Sequence, residues 1–313
     1  MTTYIAKRFL GMIVVMFIVL TTVFVIVRLA PGDPAALMLG PDATLADIAA
    51  LRKQMGLDQP IAAQYVSFLG QMATGDLGRS IFFNEPVRQV IVERAEPTTL
   101  LTLFSIIIAV VIALPVGVLS AYKRGTLFDQ GALSTAMLSA SVPSFWLGLM
   151  FQQYLATHLG WFPVSGFGAP DATFLERLRY LALPSIVLGL VNSALIIRFS
   201  RAAMLDVLND DYVRTARAKG MSEWRVLVKH ALKNAMIPIV TVVGLTFALL
   251  ISGAIVTERV FNLPGVGSLV VGAVLRRDYP VIQGVLVVMA GIYVLINLLI
   301  DMLYLAIDPR VKY

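Results

Sequence analysis

Cysteine is absent from this sequence of 313 residues, which excludes disulfide bonds and thiolate metal sites. Histidine is nearly absent: His158 and His230 lie far apart in the sequence, and we interpret both as interfacial side chains rather than metal ligands. No Gly-x4-Gly-Lys-Ser/Thr phosphate-binding loop and no His-Glu-x-x-His motif occurs. We therefore expect no catalytic residue, no metal and no cofactor in this chain.

Charged residues are also scarce. They make up 14% of the chain, against roughly 25% in soluble domains, while hydrophobic residues make up 58%. Each of the windows without any Asp, Glu, Lys or Arg is long enough to span a bilayer, and only a helix satisfies its own backbone there. The sequence therefore predicts a single all-α polytopic membrane domain over residues 1–313, surrounded by lipid and with no nucleic-acid partner. The six windows are Phe9–Val27, Pro97–Tyr122, Gln130–Pro170, Tyr180–Ile197, Asn234–Thr257 and Tyr279–Ile300.

The first window follows basic residues, as the apolar region of a signal peptide would. It is too long for that region, and no clear small-x-small cleavage site follows it. We predict a retained membrane span.

The distribution of charge predicts the orientation. With six spans and the N-terminus in the cytoplasm, the cytoplasmic segments hold 14 Lys and Arg residues and 6 acidic residues. The outer segments hold 10 Lys and Arg residues and 12 acidic residues. The short basic loop 198–235 dominates this bias. A seventh span within Gln130–Pro170 would move that loop outside, and "GWFPVSGFGAP" would also break a helix there. We predict six transmembrane helices with both termini in the cytoplasm.

Residues 31–96, between the first two spans, are polar, acidic and rich in Pro and Gly. "TLADIAALRKQMG" predicts a helix that is capped by Thr44 and Asp47 and ended by Gly56. "PIAAQYVSFLGQMATG" and "PVRQVIVERAEP" predict two further helices, each beginning at its first proline. These pieces indicate a small helical extracytoplasmic cap. The alternative is a solvated loop with no special role.

A basic hairpin interrupts the apolar sequence at "DYVRTARAKGMSEWRVLVKHALKNAMIP". Asp210 or Asp211 is predicted to cap a short helix that ends at Gly220, and Ser222 is predicted to begin a second helix before Pro238 opens the fifth span. The first helix offers a low-relief face of Val213, Ala216 and Gly220 beside Arg214 and Arg217. The second helix carries an apolar stripe (Trp224, Leu227, Val228, Ala231, Ala235) and a basic stripe (Arg225, Lys229, Lys233).

Three functions fit this hairpin on physical grounds. It could lie on anionic lipid headgroups, be an ordinary cytoplasmic loop of a membrane protein, or dock in a groove of a cytoplasmic partner.

The hairpin resembles the EAA loop of ATP-binding-cassette (ABC) importer permeases. Counted from Gly220, the family pattern matches this chain at Ala216, Gly220 and Leu232 and departs from it at several other positions. The departures resemble the B-type permeases of dipeptide and oligopeptide importers, which read "DYVRTARAKG" followed by "KHALKNA-IP". The segments "RLAPGDPA", "MGLDQP", "GDLGRS", "LPGVG" and "RRDYPVIQG" fit the same branch, so the resemblance covers nearly the whole chain.

This resemblance implies a type I ABC importer permease of the bacterial inner membrane, which forms half of a path for peptides or a related small solute. Its implied partners are a second, C-type permease in a heterodimer, two ABC ATPase subunits that hydrolyse the ATP, and an extracytoplasmic solute-binding protein. Residues 201–236 would be the coupling loop. The implied ATPase-coupling residues are Asp211, Val213, Arg214, Thr215, Ala216, Arg217, Lys219 and Gly220.

Polar residues within the spans are candidates to line the path, although Ser and Thr in membrane helices often bond only to their own backbone. A self-contained secondary transporter or channel is the alternative function, but such proteins usually carry ionisable groups deep in the membrane. An intramembrane protease is poorly supported, because no serine or metal motif fits. The candidate path residues are Ser139, Ser141, Ser144, Asn192, Ser193, Thr241, Thr246 and Ser252.

Overall fold

A computed structural model describes residues 2–29, 33–40 and 43–307 of the chain. Those residues are almost entirely helical, with one isolated β-bridge between Arg79 and Pro86, so the predicted all-α class is confirmed. The helices are α1 (Thr2–Leu29), α2 (Pro34–Leu39), α3 (Leu45–Gln54), α4 (Ile61–Ala73), α5 (Val87–Tyr122), α6 (Leu127–Ser141), α7 (Ser144–Phe151), α8 (Phe174–Leu208), α9 (Asp211–Ala218), α10 (Glu223–Arg225), α11 (Lys233–Val260), α12 (Val266–Arg276) and α13 (Tyr279–Ile307). Two π-helical stretches, Gln152–His158 and Val226–Leu232, follow α7 and α10.

Within the described part of the chain, five helical stretches are long and apolar enough to cross a membrane, and α6 with α7 makes a sixth if the pair counts as one span. The predicted third span is not a single helix, because α6 and α7 meet at a bend of 97°. Val142 at the break is extended (φ −86°, ψ 126°), as a residue before a proline tends to be. The orientation of the spans stays a prediction.

The second predicted span begins much earlier than its proline. Helix α5 has 36 residues and runs through Pro97, joining the predicted third cap helix to the span. At 1.5 Å per residue it is about 54 Å long, well beyond a hydrocarbon core of about 30 Å. The cap helix predicted from Pro86 and the span predicted from the window Pro97–Tyr122 are therefore one continuous helix. A proline inside a helix removes one hydrogen bond, which a long membrane helix tolerates.

The chain divides into two compact units, residues 1–95 with 269–295 and residues 96–268 with 296–313. In the first unit, the predicted helix cap is confirmed: Thr44 and Asp47 form a reciprocal capping box at the start of α3. Gly56 follows the helix with φ +65°, the left-handed backbone that a helix stop needs. The predicted start of α4 after Pro60 is also confirmed.

Asp278 joins two distant segments of the first unit. It is buried, and its carboxylate accepts hydrogen bonds from Ser80 Oγ (2.5 Å), Ile81 N–H (3.2 Å) and Phe82 N–H (3.1 Å). Nearby, a Cβ on Gly284 would lie 2.5 Å from Val87 Cγ1. The motifs "GDLGRS" and "RRDYPVIQG" therefore meet in space, which the sequence alone did not indicate.

In the second unit, α8 packs against α6, α7 and α11. Small residues allow close approach of the helices: a Cβ on Gly117 would lie 2.8 Å from Ser200 Cβ, and one on Gly189 would lie 2.7 Å from Ile108. Such contacts are typical of membrane helices, where packing rather than water drives association. The buried core includes Leu181, Leu183, Val187, Leu188, Ile196, Leu250 and Phe261.

Glu258, near the end of α11, is fully buried. Thr98 Oγ1 donates to Glu258 Oε1 at 2.6 Å, and Ser268 N–H donates to Oε2 at 2.8 Å. Thr98 Oγ1 in turn accepts a hydrogen bond from Val266 N–H at 2.8 Å. The loop between α11 and the N-terminal part of α12 is thus built around one carboxylate.

The glycines of "LPGVG" are required by this loop. A Cβ on Gly265 would lie 2.3 Å from Glu258 Cδ, and a Cβ on Gly267 would lie 2.6 Å from the backbone Cα of Ile255. A larger residue at position 265 would displace the Glu258 carboxylate, and one at position 267 would move the loop away from the backbone of α11.

Candidate functional site

The predicted hairpin begins two residues after α8. Asp210 is in the N-cap position of α9 with an extended backbone, but its side chain makes no capping hydrogen bond. Lys219 closes the helix, and Gly220 follows with φ +74°. The predicted extent of the short helix and its glycine stop are therefore confirmed, while capping by the Asp210 side chain is wrong.

One face of α9 packs against the protein itself. Val213 is completely buried and Ala216 is 6% exposed, and both belong to one apolar cluster with the buried Val226 of the second half of the hairpin. Val207, Leu208 and Met221 pack around them. The prediction that Val213 and Ala216 form an exposed surface is wrong, because the apolar positions of this short helix find a partner within the chain.

Two polar contacts fix α9 to the segment that follows it. Arg217 Nε and Nη2 bond to the two carboxylate oxygens of Glu223 at 3.0 and 3.3 Å. Asn234 Nδ2 donates to the hydroxyl of Tyr212 at 2.6 Å. Because these contacts lie at both ends of the buried cluster, α9 is held in one orientation.

The opposite face of α9 is exposed. Asp211 and Arg214 form a loose pair at 3.5 Å, with 97% and 71% of their side chains exposed. Thr215, Lys219 and Gly220 are exposed as well. We name Asp211, Arg214, Thr215 and Lys219 the α9 face. It is short and mainly basic, so it can fit a groove or an acidic surface.

The second half of the hairpin continues without interruption into α11, so the prediction that Pro238 opens the fifth span is wrong. The predicted basic stripe is exposed. In the predicted apolar stripe, Leu227, Ala231 and Ala235 are buried, but Trp224 is 70% exposed. The intervening residues form a π-helix, whose longer turn shifts the register from the 3.6-residue period assumed for the sequence.

An ion pair near the hairpin was missed at the sequence level. Arg201 Nε and Nη2 contact the two oxygens of Asp129 at 2.6 and 2.7 Å. Asp129 is 2% exposed and also accepts hydrogen bonds from Ser120 Oγ and, at 2.9 Å, from Gly125 N–H. One signal was available: Asp129 and Arg201 are charged residues at the margins of apolar windows.

The candidate path residues do not form one surface. Ser139 and Ser193 line a groove of about 390 Å³ between α5, α6 and α8, whose other walls are largely apolar. Ser193 and Thr246 are buried, and Ser144 is half-buried at the start of α7. Ser252 is exposed. Ser141, Asn192, Ser193, Thr241 and Thr246 each donate to a carbonyl three or four residues earlier in their own helix.

Two family descriptions match this chain. Residues 113–313 match "Binding-protein-dependent transport system inner membrane component", and residues 1–102 match the N-terminal region of such membrane components. The first match contains the hairpin, the α9 face and the Asp129–Arg201 pair.

Relatives match over the whole length. A probable peptide ABC transporter permease protein of Sinorhizobium fredii and a glutathione transport system permease protein of Escherichia coli are each 42% identical over 313 residues, which is 100% of both chains. Among solved structures, the MetNI methionine ABC transporter in an inward-facing conformation matches with a TM-score of 0.60 and 20% identity. That match covers 70% of this chain and 97% of the other, and shows the fold.

Proposed function

This chain belongs to the family of binding-protein-dependent transport system inner membrane components, and from that premise we propose that its α9 face contacts a separate ATPase subunit. The chain is a permease subunit of an ABC importer, a multi-pass protein of the bacterial inner membrane with the type I importer permease fold. The family implies ATPase subunits, a binding protein and a second permease as partners. Its relatives are permease subunits and are not themselves catalytic.

One observation carries the coupling role: α9 is short, packs on its own chain along one face and is exposed on the other. Val213 and Ala216 hold it from beneath, and Arg217 is engaged with Glu223. Asp211, Arg214, Thr215 and Lys219 remain available for contact. A partner that binds the exposed face of such a helix can displace the helix together with the segments packed against its other face. A partner that binds it differently in two states shifts the conformational equilibrium of the permease.

We also propose finer roles, which membership in this family supports. The chain pairs with a C-type permease in a heterodimer and works with two ATPase subunits, and all ATP hydrolysis belongs to those subunits. Residues 31–96 form the extracytoplasmic cap on which the solute-binding protein docks, and residues 201–236 form the cytoplasmic coupling loop. The cargo is a small peptide, since full-length relatives at 42% identity are named for peptide and for glutathione transport.

The experiment is a pull-down of the detergent-solubilised chain, co-expressed with the proteins that its genomic neighbours encode. Arg214→Glu reverses a charge on the α9 face, and Lys229→Glu makes the same change on the exposed stripe of the following segment. We expect the ATPase to co-purify with the wild type and with Lys229→Glu, and to fall at least about tenfold with Arg214→Glu.

Two results would contradict the proposal. If no ATPase co-purifies with the wild type, the α9 face is not a coupling site. If both variants retain the ATPase equally, the hairpin is a lipid-surface element or an ordinary loop. The purified complex in proteoliposomes then tests the cargo: we expect ATP-dependent uptake of labelled dialanine or labelled glutathione, and uptake of neither contradicts a peptide cargo.

A further inference from the structure

The buried pair Asp129–Arg201 joins three helices at one point. Asp129 lies in the first turn of α6, Arg201 is on α8, and Ser120 donates to Asp129 from the end of α5. Gly125, in the short connection between α5 and α6, contributes its N–H. The carboxylate thus receives two contacts from an arginine that fits it bidentately, one hydroxyl and one backbone amide.

We propose that the Asp129–Arg201 ion pair couples displacement of the α9 face to displacement of α6. They are positioning residues for transport, and this proposal rests on the coupling role of α9 proposed above. Nothing about the family match or the relatives' names assigns a role to this pair.

The first link runs from α9 to Arg201. Arg201 lies seven residues before the end of α8 at Leu208, which is about 10 Å along the helix axis. Only two residues separate α8 from α9, and Val207 and Leu208 pack in the same cluster as Val213. A displacement of α9 therefore moves the end of α8 with it.

The second link runs from Arg201 to α6. At this level α5 and α8 are in close contact, because Gly117 lies directly against Ser200. Helix α6 is different, because the groove between α5, α6 and α8 begins at Leu127 and Phe128, next to Asp129. The ion pair therefore adds a polar connection between α6 and α8, which also pack against each other, at the end of this groove.

Helix α6 carries Ser139, one of the candidate path residues. Ser139 and Ser193 line the same groove, and α6 ends at the 97° bend into α7. Buried ion pairs contribute little net stability compared with apolar residues of the same size, so a geometric role fits this pair better than a purely stabilising one.

The test uses the complete importer in proteoliposomes with its binding protein. ATP hydrolysis and ATP-dependent uptake are measured together, with whichever labelled probe, dialanine or glutathione, the wild type transports. For Asp129→Asn we expect hydrolysis within about twofold of wild type and uptake per ATP at least about tenfold lower. Arg201→Lys keeps the charge but loses the bidentate fit, and we expect uptake per ATP to fall about threefold.

The matched control is Arg177→Gln. Arg177 is also on α8 and also forms an ion pair to α5, with Glu96 at 2.8 Å, but near the opposite end of the helix. Its ratio of uptake to hydrolysis should equal that of the wild type. A merely structural role of Asp129 would lower uptake and hydrolysis in parallel and leave their ratio unchanged.

Several outcomes overturn the proposal. It fails if Asp129→Asn keeps the wild-type ratio, if the control loses it equally, or if neither Asp129→Asn nor Arg201→Lys assembles, since the pair is then structural. Failure of the proposed function is recognised separately, because the wild type itself would then contain no ATPase or show no ATP-dependent uptake.

Discussion

Asp129 and Glu258 are both buried carboxylates near the end of a helix in the second unit, and the protein satisfies them in different ways. Asp129 faces a cation, Arg201, which contacts both of its oxygens. Glu258 has no cation within ion-pair distance among the described residues, and accepts instead from a threonine hydroxyl and a backbone N–H. Both sites combine side-chain and backbone donors, since Gly125 N–H also donates to Asp129, and the cation at Asp129 is what distinguishes them.

The difference determines what each site can tolerate. Asp129 and Arg201 can be substituted together, because each charged partner of the ion pair is a single side chain. Around Glu258 the partners include a backbone amide, and glycines at 265 and 267 are needed to bring the loop close enough. We infer that Glu258 specifies the shape of one loop, whereas Asp129 and Arg201 specify the distance between two helices.

The largest effect is expected from Glu258→Leu. The change leaves the Ser268 N–H and the Thr98 hydroxyl without their acceptor in a buried site. At about 1–3 kcal/mol for each unsatisfied group, the loss should be about 4 kcal/mol in the free energy of unfolding. Denaturant titration of the purified chain in detergent measures it.

Thr257→Val is the matched control for this change. Thr257 is the neighbouring residue and is 1% exposed, and its hydroxyl has no hydrogen-bond partner within the described part of the chain. Its replacement should alter the free energy of unfolding by less than about 0.5 kcal/mol, because no bond is lost and the shape is kept. Equal losses for the two variants would show that the Glu258 site is not held together by these hydrogen bonds.

A smaller and repairable effect is expected at the ion pair. Asp129→Leu leaves Arg201 without its partner, with only 21% of its side chain exposed, and should cost about 3 kcal/mol in the same titration. The double variant Asp129→Leu/Arg201→Leu removes both charges but leaves the Ser120 hydroxyl and the Gly125 N–H without their acceptor, so we expect it to recover only the part of that loss that comes from the unpaired Arg201.

Recovery by the double variant is the result that separates the two sites. If the double variant is as unstable as Asp129→Leu, the site depends on its hydrogen-bond network, as the Glu258 site does, rather than on the pairing of two charges. Ser200→Ala provides the control on α8, since the buried Ser200 hydroxyl has no partner among the described residues and its removal should be nearly neutral.

The contrast also shows what the sequence could reveal. Local signals were sufficient for α3, where Thr44 and Asp47 are three residues apart, and for the stop at Gly220. Charge-free windows located most of the spans, because the membrane requirement acts on each segment separately. The proline rule misled the interpretation at Pro238, since a helix that is already long absorbs the lost hydrogen bond.

Contacts between distant segments could not be read from one sequence. Asp278 meets Ser80 across 198 positions, and Glu258 meets Thr98 across 160. Burial of Val213 and Ala216 was missed for the same reason, because the surface that covers them includes Val226 of a later π-helical stretch whose register the 3.6-residue period does not give. For the candidate site, the location of α9 was predictable and its exposed side was not.

The smallest effect is expected at the exposed pair Glu96–Arg177, which tests whether an ion pair as such stabilises this fold. Arg177 Nη1 lies 2.8 Å from both Glu96 oxygens, a distance comparable to those of the Asp129 pair, but 44% of the Glu96 side chain is exposed. Solvent screens such a pair, so Arg177→Gln should cost less than about 0.5 kcal/mol in the denaturant titration. A loss as large as that of Asp129→Leu would mean that charge alone stabilises both pairs. A negligible loss would mean that burial gives the Asp129–Arg201 pair its influence on α6 and α8.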